Sequence, residues 1–156
     1  MRKYILNLVT VLAMGFAAAQ LAAAQNVSLP YQMNFEANET AELGQWVLNP
    51  GANASQLLDQ WVVGNSVHSA GRQSLYISNN GQDAMFDSVP AVQYAYRDMI
   101  LPAGQCILTF DWFCIGGPSS SLYVGAGDFS GCTLEANTTG TIPNTIKNPV
   151  ASRMTY

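Results

Sequence analysis

Turn-forming residues interrupt the chain about every ten positions, and this spacing limits the possible fold more than any other feature. The clearest breaks are Asn49-Pro50-Gly51, Asn79-Asn80-Gly81, Pro102-Ala103-Gly104 and Gly116-Gly117-Pro118. After the first 24 residues, no segment between the breaks repeats apolar residues at helical spacing over the length of a helix. The sequence therefore predicts an all-β chain made of short strands.

Seven segments rich in β-branched and aromatic residues are the predicted strands. They are Tyr31–Glu36, Gln45–Leu48, Asp59–Val63, Ser74–Ser78, Gln93–Ile100, Gln105–Ile115 and Leu122–Ala126. Strands at this spacing favour a β-sandwich or a jelly roll over a fold with helical crossovers. Thr133–Tyr156 is polar and is predicted to be a loop with at most one strand.

The balance of charge excludes several classes of protein. Only 10% of the 156 residues are charged and 49% are hydrophobic, which is typical of a globular chain and of neither a disordered chain nor a coiled coil. Ten acidic residues against six basic ones give a net charge of −4. Nucleic-acid binding needs clustered Lys and Arg side chains, so we expect no nucleic-acid partner.

Residues 1–24 have the pattern of a secretory signal peptide. Met1-Arg2-Lys3 precede an apolar run over Tyr4–Ala19, and Ala22-Ala23-Ala24 offer small residues at a cleavage site. We predict cleavage after Ala24 and export to the outside of the cell; the alternative is a membrane anchor, for which the run is short. No second apolar run follows, so we expect no membrane span after cleavage.

Export makes disulfide formation possible, and the chain has three cysteines. Cys106 and Cys114 lie too far apart along one predicted strand to bridge each other. If a hairpin around Pro118 folds that strand back, Cys132 comes close to Cys106 on the same face. We predict a Cys106–Cys132 disulfide with Cys114 buried; three reduced thiols in the core are the alternative.

Eight short sequence motifs, here called blocks, follow one another between Leu29 and Ala126. They are Asn34-Phe35-Glu36, Trp46, Asp59–Asn65, Ser74–Gly81, Tyr94–Asp98, Leu101–Gly104, Leu108–Trp112 and Leu122–Val124. The ordered set resembles the MAM-type and cleaved-adhesin (choice-of-anchor) jelly-roll domains of secreted bacterial surface proteins. The resemblance implies a concanavalin-like jelly-roll sandwich over residues 25–132. The polar segment 133–156 stands where the last strands of the family pattern are missing, so we expect a domain truncated at its C-terminus.

The resemblance also implies a function. It indicates an extracellular, non-catalytic adhesion or ligand-binding module of a larger surface protein, with a glycan or a protein as partner. The alternative is an accessory domain of a secreted peptidase or glycoside hydrolase whose catalytic part lies outside this chain. The residues agree with a non-enzyme: His68 is the one histidine, and the sequence contains no Gly-x-Ser-x-Gly motif and no recognisable carboxylate pair.

Tyr94 and Tyr96 are the candidate ligand-binding residues. They alternate onto one face of a predicted strand, where an exposed pair would stack on a sugar or a peptide. Two half-buried strand tyrosines are the alternative. The apolar face of Leu108, Phe110 and Trp112 is predicted to pack in the core.

Acidic residues next to predicted loops are candidate ligands for a structural calcium ion. Ca²⁺ takes six to eight oxygen atoms from carboxylates and backbone carbonyls, which loops between strands supply. The candidates are Glu36, Asp111 and Asp128; the first two lie in blocks that carry the family resemblance. Solvated carboxylates are the alternative, because the chain has no Asp-x-Asp-x-Asp loop.

We predict that calcium raises the melting temperature of the protein and that EDTA reverses the rise, because an ion bound only to the folded state stabilises it. Thermal unfolding followed by circular dichroism in calcium and then in EDTA measures this. A melting temperature that does not respond to EDTA would contradict a calcium site.

Overall fold

The structure, a computed structural model, describes residues 24–52, 54–87, 89–113, 120–127, 132–137 and 139, together with the backbone of 152–154. The predicted signal peptide up to residue 23 lies outside the described residues, as do Cys114 and Asp128.

Strands dominate the regular structure of the described residues, which confirms the β-rich prediction. In chain order the elements are β1 Gln25–Asn26, α1 Thr40–Leu43, β2 Val47–Leu48, a 3₁₀ turn at Ala54–Gln56, β3 Gln60–Gly64, β4 Ser74–Ser78, β5 Ala95–Tyr96, β6 Met99–Ile100, β7 Leu122–Val124 and β8 Ser152–Met154. The sheets are small, because each strand pairs with one other strand. Within the described ranges the longest α-helix has four residues, and no helix has the length and apolar character to span a membrane.

The predicted strands agree with the structure to different degrees. Ser74–Ser78 forms β4 with the predicted bounds, and β3 starts one residue later than predicted. The predicted strand Gln93–Ile100 is divided into β5 and β6. Tyr31–Glu36 contains no strand, so that prediction is wrong. There the backbone N–H groups of Asn34 and Glu36 donate to the carboxylate of Glu39 and not to a neighbouring strand.

The strand pairs are nested. The β3–β4 hairpin is antiparallel, with Val62 opposite Tyr76. β2 precedes this hairpin in the sequence and β5 follows it, and the two pair antiparallel. β1 and β6 lie one step further out in the sequence and pair in parallel. β7 pairs antiparallel with β8. The pairings therefore join segments far apart in sequence.

The prediction of a strand over residues 105–115 is wrong for its described part. Residues 105–113 form no strand and are exposed throughout. Leu108, Phe110 and Trp112, predicted to pack in the core, are 62%, 42% and 46% exposed. β7 takes β8 as its partner, so the 105–113 segment is not its hairpin partner as predicted. Alternating apolar and polar residues indicate which side chains share a face of a strand. They do not determine which other strand becomes its partner.

Asn49 connects the β2–β5 pair to the β3–β4 hairpin. Its backbone N–H donates to the Tyr94 carbonyl at 2.8 Å, which extends the β2–β5 ladder. Its side-chain amide accepts from the Trp61 N–H at 2.7 Å and donates to the Trp61 carbonyl at 2.8 Å. The Asn49 side chain thus makes the two hydrogen bonds with β3 that a neighbouring strand would otherwise make. Asn49 has φ +53°, a left-handed conformation that Asn tolerates better than most residues.

A small apolar core lies beside this junction. Ala54, Leu57 and Ala136 form a buried cluster against which Ala91 packs. Gln60 ties the 3₁₀ turn to the hairpin, since its Nε2 donates to the carbonyls of Ala54 and Leu57.

A polar cluster fixes the segment that precedes α1. The side chain of Arg97, only 2% exposed, forms an ion pair with Glu42 and also donates to the Tyr31 hydroxyl. The Tyr31 hydroxyl donates to Glu42 Oε2 at 3.1 Å, and the Arg97 guanidinium carbon lies 4.7 Å from the Tyr31 ring centroid. These contacts hold Tyr31 and α1 against the segment that follows β5.

We predict that Asn49→Gly lowers the free energy of unfolding by about 1–3 kcal/mol, because two hydrogen bonds to Trp61 are lost. Asn49→Ala should cost about 1–2 kcal/mol more, since alanine also strains the positive φ. Urea denaturation of both variants measures the difference. Equal stabilities for the two variants would show that the left-handed backbone is not maintained.

Candidate functional site

A surface groove of about 390 Å³ opens between the turn before α1 and the loop that joins β3 to β4. We call it the Glu36 groove; its lining residues are Glu36, Ala37, Asn65, His68, Arg72 and Gln73. The lining combines a carboxylate, a guanidinium, an imidazole and two carboxamides.

Glu36 reaches the groove because the chain turns sharply at Phe35. Phe35 has φ +60°, and its ring packs edge-on against Trp46 with the centroids 5.1 Å apart. Glu39 stabilises the turn: its Oε2 accepts from the Glu36 N–H at 3.0 Å, while its own N–H donates to the Glu36 carbonyl at 2.9 Å. These two hydrogen bonds therefore position the backbone of Glu36 independently of the contacts that its own side chain makes.

The carboxylate of Glu36 organises the β3–β4 loop. Its Oε1 accepts from the backbone N–H groups of Arg72 at 2.7 Å and Gln73 at 3.2 Å. Gly71, with φ +68°, allows this approach, because a Cβ at that position would overlap Oε1. The two backbone bonds are the main reason that the pKa of Glu36 is lowered; His68 and Arg72 add a smaller favourable charge interaction. The carboxylate therefore stays ionised at neutral pH.

Side-chain contacts attach the same loop to other parts of the chain. The Ser69 hydroxyl donates to Asp111 Oδ2 at 3.1 Å, and the Ser66 hydroxyl accepts from the Ala84 N–H at 2.8 Å. The Ser74 hydroxyl also donates to the Val67 carbonyl. The exposed 105–113 segment is thus linked to the loop by a hydrogen bond of Asp111.

The structure brings two predicted calcium ligands to one loop without joining them in a cluster. Glu36 contacts the loop at residues 72 and 73, and Asp111 contacts it at Ser69. Asp128 lies outside the described residues. In the part of the chain that the structure covers, no three His, Cys, Asp or Glu side chains are grouped to hold a metal ion. Calcium binding by these carboxylates remains a prediction.

Tyr94 and Tyr96 are both half-buried, as the alternative for them expected. The Tyr94 hydroxyl is buried and has no hydrogen-bond partner among the described residues, and burial raises its pKa. Burial and the charge of Asp98 raise the pKa of Tyr96. The structure does not bring the pair to the Glu36 groove. Ligand binding by the pair remains a prediction.

The predicted Cys106–Cys132 disulfide is not formed in the structure. Cys106 is an exposed free thiol and Cys132 is half-buried. The register used to place them together required a strand at 105–115, which its described residues do not form. Pairing of the two cysteines under oxidising conditions remains a prediction.

Sequence reasoning missed four of the residues that line the groove: Ala37, Asn65, Arg72 and Gln73. His68 stands out in the sequence as the one histidine, but its sequence context does not indicate a binding role. Gly71 is the one local indication of the groove in the sequence. A glycine inside a polar loop is typical of a positive φ angle or of another group approaching the backbone closely. Nothing in the sequence indicates that Glu36, 35 residues earlier, supplies the approaching group.

The chain shows no match to the known proteins with which it was compared: no family model, curated protein or solved structure matches it.

We predict that Gly71→Ala destabilises the protein more than Gly81→Ala does. Both glycines have positive φ, so alanine at either position costs about 1–2 kcal/mol. Gly81 has open space around it, whereas a Cβ at Gly71 displaces the Glu36 carboxylate from its two N–H donors. Urea denaturation of the two variants at neutral pH measures the difference.

Acidification provides a second readout for the same pair. Because the folded-state pKa of Glu36 is lowered, its contribution is full above its unfolded value of about 4.3 and is lost as the pH falls through the lowered pKa. The stability difference between Gly71→Ala and Gly81→Ala should therefore shrink at acidic pH. A difference that is absent at neutral pH, or constant with pH, would show that the carboxylate does not hold the loop.

Proposed function

We propose that this chain is an extracellular, non-catalytic adhesion or ligand-binding module with a jelly-roll fold, and that its ligand is a glycan. The signal-peptide pattern of residues 1–24 supports export. The family resemblance supports a module of the kind that secreted surface proteins carry.

The nested strand pairs support the jelly roll. A jelly roll is wound from one long hairpin, so strands near its turn pair with each other and outer strands pair around them. β3–β4 inside β2–β5 follows this order. The parallel β1–β6 pair departs from it, since a wound hairpin gives antiparallel pairs.

The observation that carries the binding role is a group of exposed aromatic side chains in the segment that Asp111 links to the loop of the Glu36 groove. Phe110, Trp112 and Phe113 are 42%, 46% and 70% exposed. They lie beside Asp111, which the Ser69 hydroxyl holds against the groove loop. A concentration of exposed apolar side chains in one short segment supports a recognition role.

A glycan fits this combination of groups. Sugar rings present apolar faces that aromatic side chains cover and hydroxyls that amides, carboxylates and guanidinium groups bind. Asn65, Arg72 and Gln73 supply such groups in the groove. A site of this composition binds without a nucleophile or a metal.

We predict that Trp112→Ala weakens glycan binding by more than about 1 kcal/mol, because exposed aromatic anchors dominate such interfaces. Binding is measured on an array of immobilised polysaccharides. Leu58→Ala is the control, since Leu58 is 62% exposed and lies in neither the groove lining nor the 105–113 segment. Equal binding by the two variants, or no binding to any polysaccharide, would contradict the proposal.

A further inference from the structure

Exposed positive charge is scarce on the described surface. The structure describes the side chains of two arginines and no lysine. The Arg97 side chain is 2% exposed and is paired with Glu42. Arg72 is exposed, and no carboxylate among the described residues forms an ion pair with it. Arg72 lines the Glu36 groove, and its guanidinium, with five N–H donors, is available for a ligand.

Glu36 presents the complementary group in the same groove. Its hydrogen bonds from the loop all go to Oε1. Oε2 has no donor within the described ranges and is an acceptor for a ligand. The Arg72 and Gln73 N–H groups fix the carboxylate in place, so little side-chain freedom is lost when Oε2 binds.

The two charges have opposite signs, and this disfavours a ligand with a net charge. An anionic ligand faces repulsion from Glu36, and a cationic ligand faces repulsion from Arg72. A hydroxyl both donates and accepts, so two neighbouring hydroxyls satisfy both groups without a net charge. Asn65 and Gln73 add neutral donors and acceptors to the lining.

We propose that the Glu36 groove binds a neutral saccharide through two neighbouring hydroxyls, one donating to Glu36 Oε2 and the other accepting from Arg72. This deepens the proposed function and rests on it. The exposed aromatic residues on either side of Asp111 provide the apolar contact with the sugar ring.

The test compares neutral and charged polysaccharides by affinity electrophoresis of the whole protein. Galactomannan, xylan and mixed-linkage β-glucan are the neutral probes; polygalacturonate and chitosan carry negative and positive charge. We expect retardation by a neutral probe that persists at high salt, because no net charge is neutralised. Arg72→Gln should weaken this binding about tenfold or more, since a hydrogen bond from a charged donor is lost.

Glu135→Gln is the control for changes of charge, because Glu135 is exposed and lies outside the groove. The melting temperature of each variant confirms that it folds. Stronger retardation by a charged polysaccharide overturns the inference but leaves the glycan-binding function intact. If Trp112→Ala abolishes binding to the neutral polysaccharides and Arg72→Gln does not, the inference is likewise overturned and the glycan-binding function stands. Absence of binding to every probe overturns both.

Discussion

The side chain of Asn49 makes the contact on which the described fold depends most. The sheets are pairs of strands, and pairs this small bury little apolar surface. Asn49 extends the β2–β5 ladder with its backbone, and its side chain accepts from the Trp61 N–H and donates to the Trp61 carbonyl. The Trp61 indole then donates to the Gln93 carbonyl at 3.1 Å, which closes the junction from the other side. One residue with a left-handed backbone thus connects two sheets.

Polar contacts carry unusual weight elsewhere in the molecule. Among the described residues the buried apolar cluster has three members, two of them alanine. Ser78 is fully buried, and its hydroxyl donates to the Asn80 side chain at 3.0 Å. Asp59 is also buried and accepts from the Asp87 N–H at 2.7 Å. Burial is the main cause that raises the pKa of Asp59, and its hydrogen bond opposes the rise.

The Glu36 groove follows the same principle. A carboxylate fixed by backbone N–H groups needs no cation to remain ionised, and the neighbouring guanidinium of Arg72 forms no ion pair with the described residues. Arg97 differs from Arg72 in this respect. Its buried guanidinium is paired with Glu42 and donates to the Tyr31 hydroxyl. The same two residue types therefore form a buried ion pair at one place and line a surface groove at the other.

The sequence by itself determined the class of fold and the positions of several strands. Turn residues, β-branched residues and aromatic residues act locally, and for that reason β3 and β4 lie within one residue of their predicted bounds. Tertiary structure decided what pairs with what. The 105–113 segment has strong alternation but forms no strand and remains exposed, while β7 pairs with β8. The groove also escaped sequence reasoning, because Glu36 and Gly71 meet only through the positive φ angles of Phe35 and Gly71. Propensity is a property of neighbouring residues, whereas partners and sites depend on distant backbone groups that only folding brings together.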